Sequence, residues 1–128
     1  MRRLFALLLF AAAPAKADVH PRYHEANKAA AASVVVMSID SVRASSLGRD
    51  RLGDCILRGR VETVERGRGL AAGLPLMITV PCYTARAELP SSGIQWQSVE
   101  RLRGAARGRV WLNAEGAQID GRYFQILP

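Results

Sequence analysis

Few residues in this 128-residue chain have the types and spacing that chemistry needs. Cys55 and Cys82 are the only cysteines, and His20 and His24 are the only histidines. The segment carries no G-x-S-x-G and no H-E-x-x-H, the patterns that serve a serine or zinc hydrolase. Gly67-Arg68-Gly69…Gly73 has the wrong spacing for a dinucleotide loop and joins two strand-like runs. Asp50 and Asp54 flank a polar loop and read as solvated acids rather than an acid–base pair. The expectation is therefore a protein that is not an enzyme. A hydrolase assembled from distant residues is the alternative that sequence leaves open.

The first seventeen residues have the layout of an export signal. Arg2 and Arg3 precede the apolar run Leu4 to Ala13, Pro14 breaks it, and Ala15-Lys16-Ala17 offers small residues to a peptidase. The run is too short to span a bilayer. A periplasmic or secreted protein beginning at Asp18, with no membrane span in the mature chain, is expected. Without the leader, which carries Arg2, Arg3 and Lys16, 111 residues remain and the net charge falls from +7 to +4.

Export gives the cysteines and histidines their readings. Two cysteines in an oxidising compartment read as one structural disulfide, Cys55–Cys82. Closing a loop of that length is worth roughly 3–4 kcal/mol in the chain-entropy picture. A redox pair or metal site is the alternative, but no C-x-x-C is present. The processed terminus Asp18-Val19-His20 supplies a free amine, two amides and an imidazole, a set able to wrap Cu or Ni in a square plane. His24 lies one turn on as a further ligand. The plainer reading is two exposed histidines on a frayed helix and no cofactor.

Arginine dominates the remaining charge. Arg49 and Arg51 lie in a loop, and Arg58 and Arg60 follow on a strand. Together they form a candidate surface for an anionic partner, with Trp96 and Trp111 available for stacking. Export argues against nucleic acid. An anionic envelope polymer or a protein is the expected partner, and arginines that merely solvate the surface are the plain alternative.

The elements that must position these residues follow from pattern. Pro21 to Ala32 reads as a helix, with proline in its first turn and a thin apolar stripe of Tyr23, Ala26 and Ala30. Residues 34–43 are β-branched and read as a strand, although Val35, Ile39 and Val42 also fit helical spacing. Residues 54–65 alternate, with Cys55, Leu57, Gly59, Val61 and Thr63 on one face and Arg58, Arg60 and Glu62 on the other. Residues 76–82 form a third strand, and pairing the second and third as a hairpin brings the cysteines together. Ser98 caps a short helix over 98–106. Residues 109–113 and 118–127 complete five strands, with a turn at Glu115-Gly116.

Cys55-Ile-Leu-Arg-Gly-Arg-Val-Glu-Thr-Val-Glu-Arg-Gly, then Leu70-Ala-Ala-Gly and Met77-Ile-Thr-Val-Pro-Cys82, resembles the strand pair of small exported bacterial domains with a netrin-like OB pattern. The resemblance covers residues 34–82 and is structural rather than catalytic. It implies a mainly β fold, a small five-stranded OB-like barrel with an N-terminal helix and a short helix between strands three and four. The expected organisation is a signal peptide over 1–17, a helical segment over 18–33 and the barrel over 34–128. The expected function is that of a non-enzymatic exported module that binds or supports another envelope component.

Overall fold

The structure is a computed structural model that describes residues 21–45, 52–84, 87, 89 and 96–128. Residues 1–20, which hold the expected signal peptide, Asp18 and His20, and the segment carrying Arg49 and Arg51 lie outside the described residues. The chain is mainly β. Its elements are α1 (Pro21–Ala29), β1 (Ser33–Ser45), β2 (Leu52–Arg66), β3 (Pro75–Tyr83), β4 (Gln97–Ser98), α2 (Val99–Gly104), β5 (Arg107–Leu112) and β6 (Phe124–Leu127). The sheet has six strands in the order β4-β3-β2-β1-β5-β6, one more than the five expected, and it curls into a half-barrel. The extra strand, β4, is a two-residue parallel pairing of Gln97 and Ser98 with Cys82 and Tyr83. Two residues are too few to leave a period. Within the sheet, β5-β1-β2-β3 has the spatial order of a Greek key, because the chain returns to lay β5 beside β1.

Bulges explain where the period of two misleads. Ile39 pairs with Gly59 and Ser41 with Arg58, so Asp40 is an extra residue in β1. The alternation restarts there. Val35, Met37 and Ile39 face the core, then Val42 and Ala44 do. The three-residue step from Ile39 to Val42, which also fits a helix, is this bulge. A second irregularity makes Glu62 the extra residue of β2, since Met37 pairs with Val61 and Val36 with Thr63. Val64 consequently packs on the core and Thr63 is exposed, which corrects the expected inward position of Thr63.

The core lies on the concave side. Val35 and Met37 of β1, Leu57 and Val61 of β2, Ile78 and Val80 of β3, and Val110 and Leu112 of β5 meet there. Val99 and Leu102 of α2 close one end. Burying a side chain like Leu102 is worth roughly 1.5–3 kcal/mol. Ser98 caps α2 as expected, its hydroxyl accepting from the Arg101 N–H at 3.4 Å. Two glycines permit close approaches. A Cβ on Gly59 would strike the Ser38 carbonyl, and one on Gly108 would strike the ring of Phe124, which fills the space above it.

Cys55 and Cys82 form the disulfide, with Cα atoms 5.7 Å apart and both residues wholly buried. Cys55 pairs with Val80 and Gly53 with Cys82, so the bridge runs diagonally across the hairpin. The edge of β3 beyond it is closed by a side chain. Gln118 Nε2 donates to the Thr79 carbonyl at 2.9 Å, and the Thr79 N–H donates to Gln118 Oε1 at 3.0 Å. One amide thus satisfies the edge as a neighbouring strand would. Because Thr79 turns its backbone groups to this seam, the next same-facing residue, Pro81, lacks its N–H where no β2 partner needs it.

The expected strand over 118–127 is shorter, beginning only at Phe124. Residues 113–117 make a tight loop in which Asn113 Oδ1 accepts from the N–H groups of Glu115 and Ala117, with Gly116 at φ 78°. That loop aims Gln118 at the seam, and the chain then turns at Asp120 before pairing with β5.

Candidate functional site

The helix α1 docks through polar residues rather than the expected Tyr23, Ala26 and Ala30 stripe, all three of which are exposed. His24, Asn27, Lys28 and Ala31 share one face at helical spacing. His24 Nδ1 lies 2.8 Å from the Tyr123 hydroxyl, and Asn27 Nδ2 donates to that hydroxyl at 2.9 Å. The His24 and Tyr123 rings meet edge to face. Tyr123 is buried, and these two contacts from α1 satisfy its hydroxyl. At the helix C-terminus, Arg66 Nη1 donates to the carbonyls of Lys28, Ala29 and Ala31 at 3.0–3.2 Å. A cation there satisfies the open carbonyls and suits the helix dipole.

This docking places Lys28 over aromatic rings. Its Nζ lies 5.1 Å from the Trp111 ring centre and 6.0 Å from that of Tyr123. These are cation–π distances, and they hold the ammonium in place without neutralising it. Glu25 approaches the same Nζ at 3.5 Å from a largely exposed position.

Lys28 stands at one wall of a half-open groove of about 400 Å³. Gln97, Arg101, Trp111, Arg122, Tyr123 and residues 124–126 of β6 form the rest. The lining comes from α1, β4, α2, β5, β6 and the turn that leads into β6. Among the described residues, three cations line the groove and no carboxylate does. Asp120 lies behind Arg122, taking its Nε and Nη2 in a fork at 2.7–3.1 Å. The hydrogen bonds from Arg122 hold the Asp120 carboxyl below its ordinary range, against some desolvation. The same bonds raise Arg122 further above neutrality.

A second cationic region lies on the convex face. Arg58 and Arg60 of β2 are exposed there, two residues apart on one side of the strand. Arg43 of β1, a residue the sequence pattern did not single out, pairs with Ile56 and is exposed beside them. Met77 sits opposite Arg58 on β3 and is 61% exposed. Among the described residues, none of these three arginines has an ion-pair partner. Farther along the sheet the pattern differs. Arg109 holds Glu65 through Nε and Nη2 at 2.5 and 3.1 Å and Gln125 through Nη1 at 2.8 Å. The Arg109 hydrogen bond holds the Glu65 carboxyl below its ordinary value.

The sequence-derived site residues are thus distributed. Arg58 and Arg60 share one face with Arg43. Trp111 does not join them, because it pairs with Val34 at the opposite end of β1 and lines the groove. His24 is engaged by Tyr123, and Asp18 and His20 lie outside the described residues. Among the described residues no three His, Cys, Asp or Glu side chains cluster as metal ligands. Nor, among them, is any helix long and apolar enough to cross a membrane. Lys28, Arg101 and Arg122 have no common motif, so no local pattern announces their convergence. Compared with protein-family models, curated proteins and solved structures, the chain gives no match.

Proposed function

We propose that this protein is an exported, non-enzymatic OB-like module that binds an anionic polymer of the cell envelope. The observation that carries the reading is the set of exposed arginines Arg43, Arg58 and Arg60 on adjacent strands, unpaired among the described residues. Arg58 is flanked by Ser41 and Met77 rather than by acids. The convex side of the second and third strands is where OB-folds commonly hold polymers, and a planar guanidinium suits carboxylate and phosphate groups. The Greek-key order of β1, β2, β3 and β5 favours the OB-like reading.

The test uses polyphosphate as the anionic probe. Wild-type protein should bind it with an affinity that falls as salt rises, because exposed charges are screened. Changing Arg43, Arg58 and Arg60 together to Ala should weaken binding by at least about tenfold, or 1.4 kcal/mol, and flatten the salt dependence. Unchanged affinity and slope in a folded triple variant would overturn the reading.

A further inference from the structure

We infer that the groove between α1, α2 and β5–β6 binds an acidic saccharide, a ring bearing hydroxyls and one carboxylate or phosphate. This site shares no residue with the arginine face, so either can fail alone. Its volume of about 400 Å³ falls within the range of small-molecule sites and is larger than a bare inorganic anion needs.

Two of the three groove cations meet a carboxylate from outside the lining, Lys28 with Glu25 at 3.5 Å and Arg122 with Asp120 at 2.7 Å, so the surplus positive charge is that of Arg101. Lys28 is fixed over Trp111 and Tyr123, Arg122 is fixed by Asp120, and Arg101 is exposed with no ion-pair partner among the described residues. Asp120 occupies Nε and Nη2 of Arg122 and leaves Nη1. With Glu25 and Asp120 offsetting Lys28 and Arg122, the three cations leave the groove a net positive charge, which an anion placed among them meets. Charge-assisted hydrogen bonds from such fixed donors are the strong kind.

The neutral walls point to a ring with hydroxyls. Gln97 Nε2 donates to the Phe124 carbonyl at 3.3 Å, which leaves its Oε1 as an acceptor. Gln125 Oε1 accepts from Arg109, which leaves its Nε2 as a donor. A hydroxyl both donates and accepts, so it can use either amide. Trp111 lines the same groove, so a sugar ring bound there lies beside an amphipathic indole that already carries Lys28. An acyl chain would find few apolar walls, since among the described residues the lining is mostly polar or charged, with Phe124 and Ile126 beside the rings of Trp111 and Tyr123.

The experiment titrates the full disulfide-bonded protein with galacturonate, glucose 6-phosphate, glucose and acetate, followed by calorimetry and tryptophan fluorescence. Galacturonate or glucose 6-phosphate should bind saturably, at least about tenfold tighter than either glucose or acetate. A preference between the two distinguishes carboxylate from phosphate. The fluorescence change should persist in Trp96→Phe and vanish in Trp111→Phe. Arg101→Glu, at an exposed position that does not threaten the fold, should weaken binding at least about tenfold, while Arg58→Ala should not. Acetate binding as tightly as galacturonate, no saturable binding by either acidic sugar, or an unaffected Arg101→Glu variant would each overturn the assignment. Selective binding of an acidic peptide in place of the sugars would overturn it too.

Discussion

Gln118→Ala tests whether a single side chain closes the half-barrel. Gln118 makes two hydrogen bonds to Thr79, one to its carbonyl and one from its N–H, at 2.9 and 3.0 Å. Neutral hydrogen bonds are worth a net ~0.5–1.5 kcal/mol each, which brackets the loss at ~1–3 kcal/mol. Thr79 is exposed, so water replaces much of what is lost, and the lower end, ~1 kcal/mol, is expected. The third bond of this amide, to the Asp120 carbonyl, is long at 3.4 Å and adds little. Amide exchange gives the residue-level readout. Thr79 turns both backbone groups to the seam, so its pair with Ile56 is not the hydrogen-bonded kind, and Ile78 and Val80 carry the ladder to β2. In Gln118→Ala the Thr79 amide should exchange faster, while Ile78 and Val80 change only as global stability changes. Gln118→Glu sharpens the test, because at neutral pH a carboxylate can accept from the Thr79 N–H but opposes its carbonyl with a second oxygen. It should be no more stable than the alanine variant. If Thr79 exchange is unaltered in both variants, the seam is held by core packing alone and the reasoning fails.

Three further outcomes follow from the same geometry. Changing Cys55 and Cys82 together to Ala should cost about 3–4 kcal/mol for a pair 27 residues apart and lower Tm by more than about 10 °C, read by thermal and urea unfolding; a loss below about 1 kcal/mol would refute it. Gly108→Ala should cost about 1–3 kcal/mol through its collision with Phe124, and much less in combination with Phe124→Leu; additive losses in the double variant would mean that the ring is not the obstacle. Asp120 has a folded-state pKa below its unfolded value, so its stabilisation is complete above about pH 4 and disappears as pH falls through the folded value. Acid titration of stability should therefore be shallower below pH 4 in Asp120→Asn than in the native protein, and parallel profiles would show the Arg122 fork to be energetically idle.

Much of this molecule is legible in its sequence, for reasons that are local. Alternation in residues 54–65 fixed which side of β2 carries Leu57 and Val61 and which carries Arg58 and Arg60, because a strand has no other way to present a two-residue period. The cysteines followed from that alternation and a hairpin, and they are bonded in the structure. Ser98 announced α2, since an N-cap needs only residues a few positions away. What pattern reading missed is non-local. The bulges at Asp40 and Glu62 depend on how two long strands must coil around one core, so Thr63 turned outward although its own strand alternates. Strand β4 exists because Cys82 and Tyr83 lie beside Gln97 and Ser98, not because two residues favour extension. The groove is the extreme case: Lys28, Arg101, Trp111 and Arg122 carry no shared spacing, and curling of the sheet and docking of α1 on Tyr123 bring them to one concavity. Local sequence determines which face of an element is apolar. Which faces then meet is set by chain closure and packing, and that information resides in pairs of residues far apart along the chain.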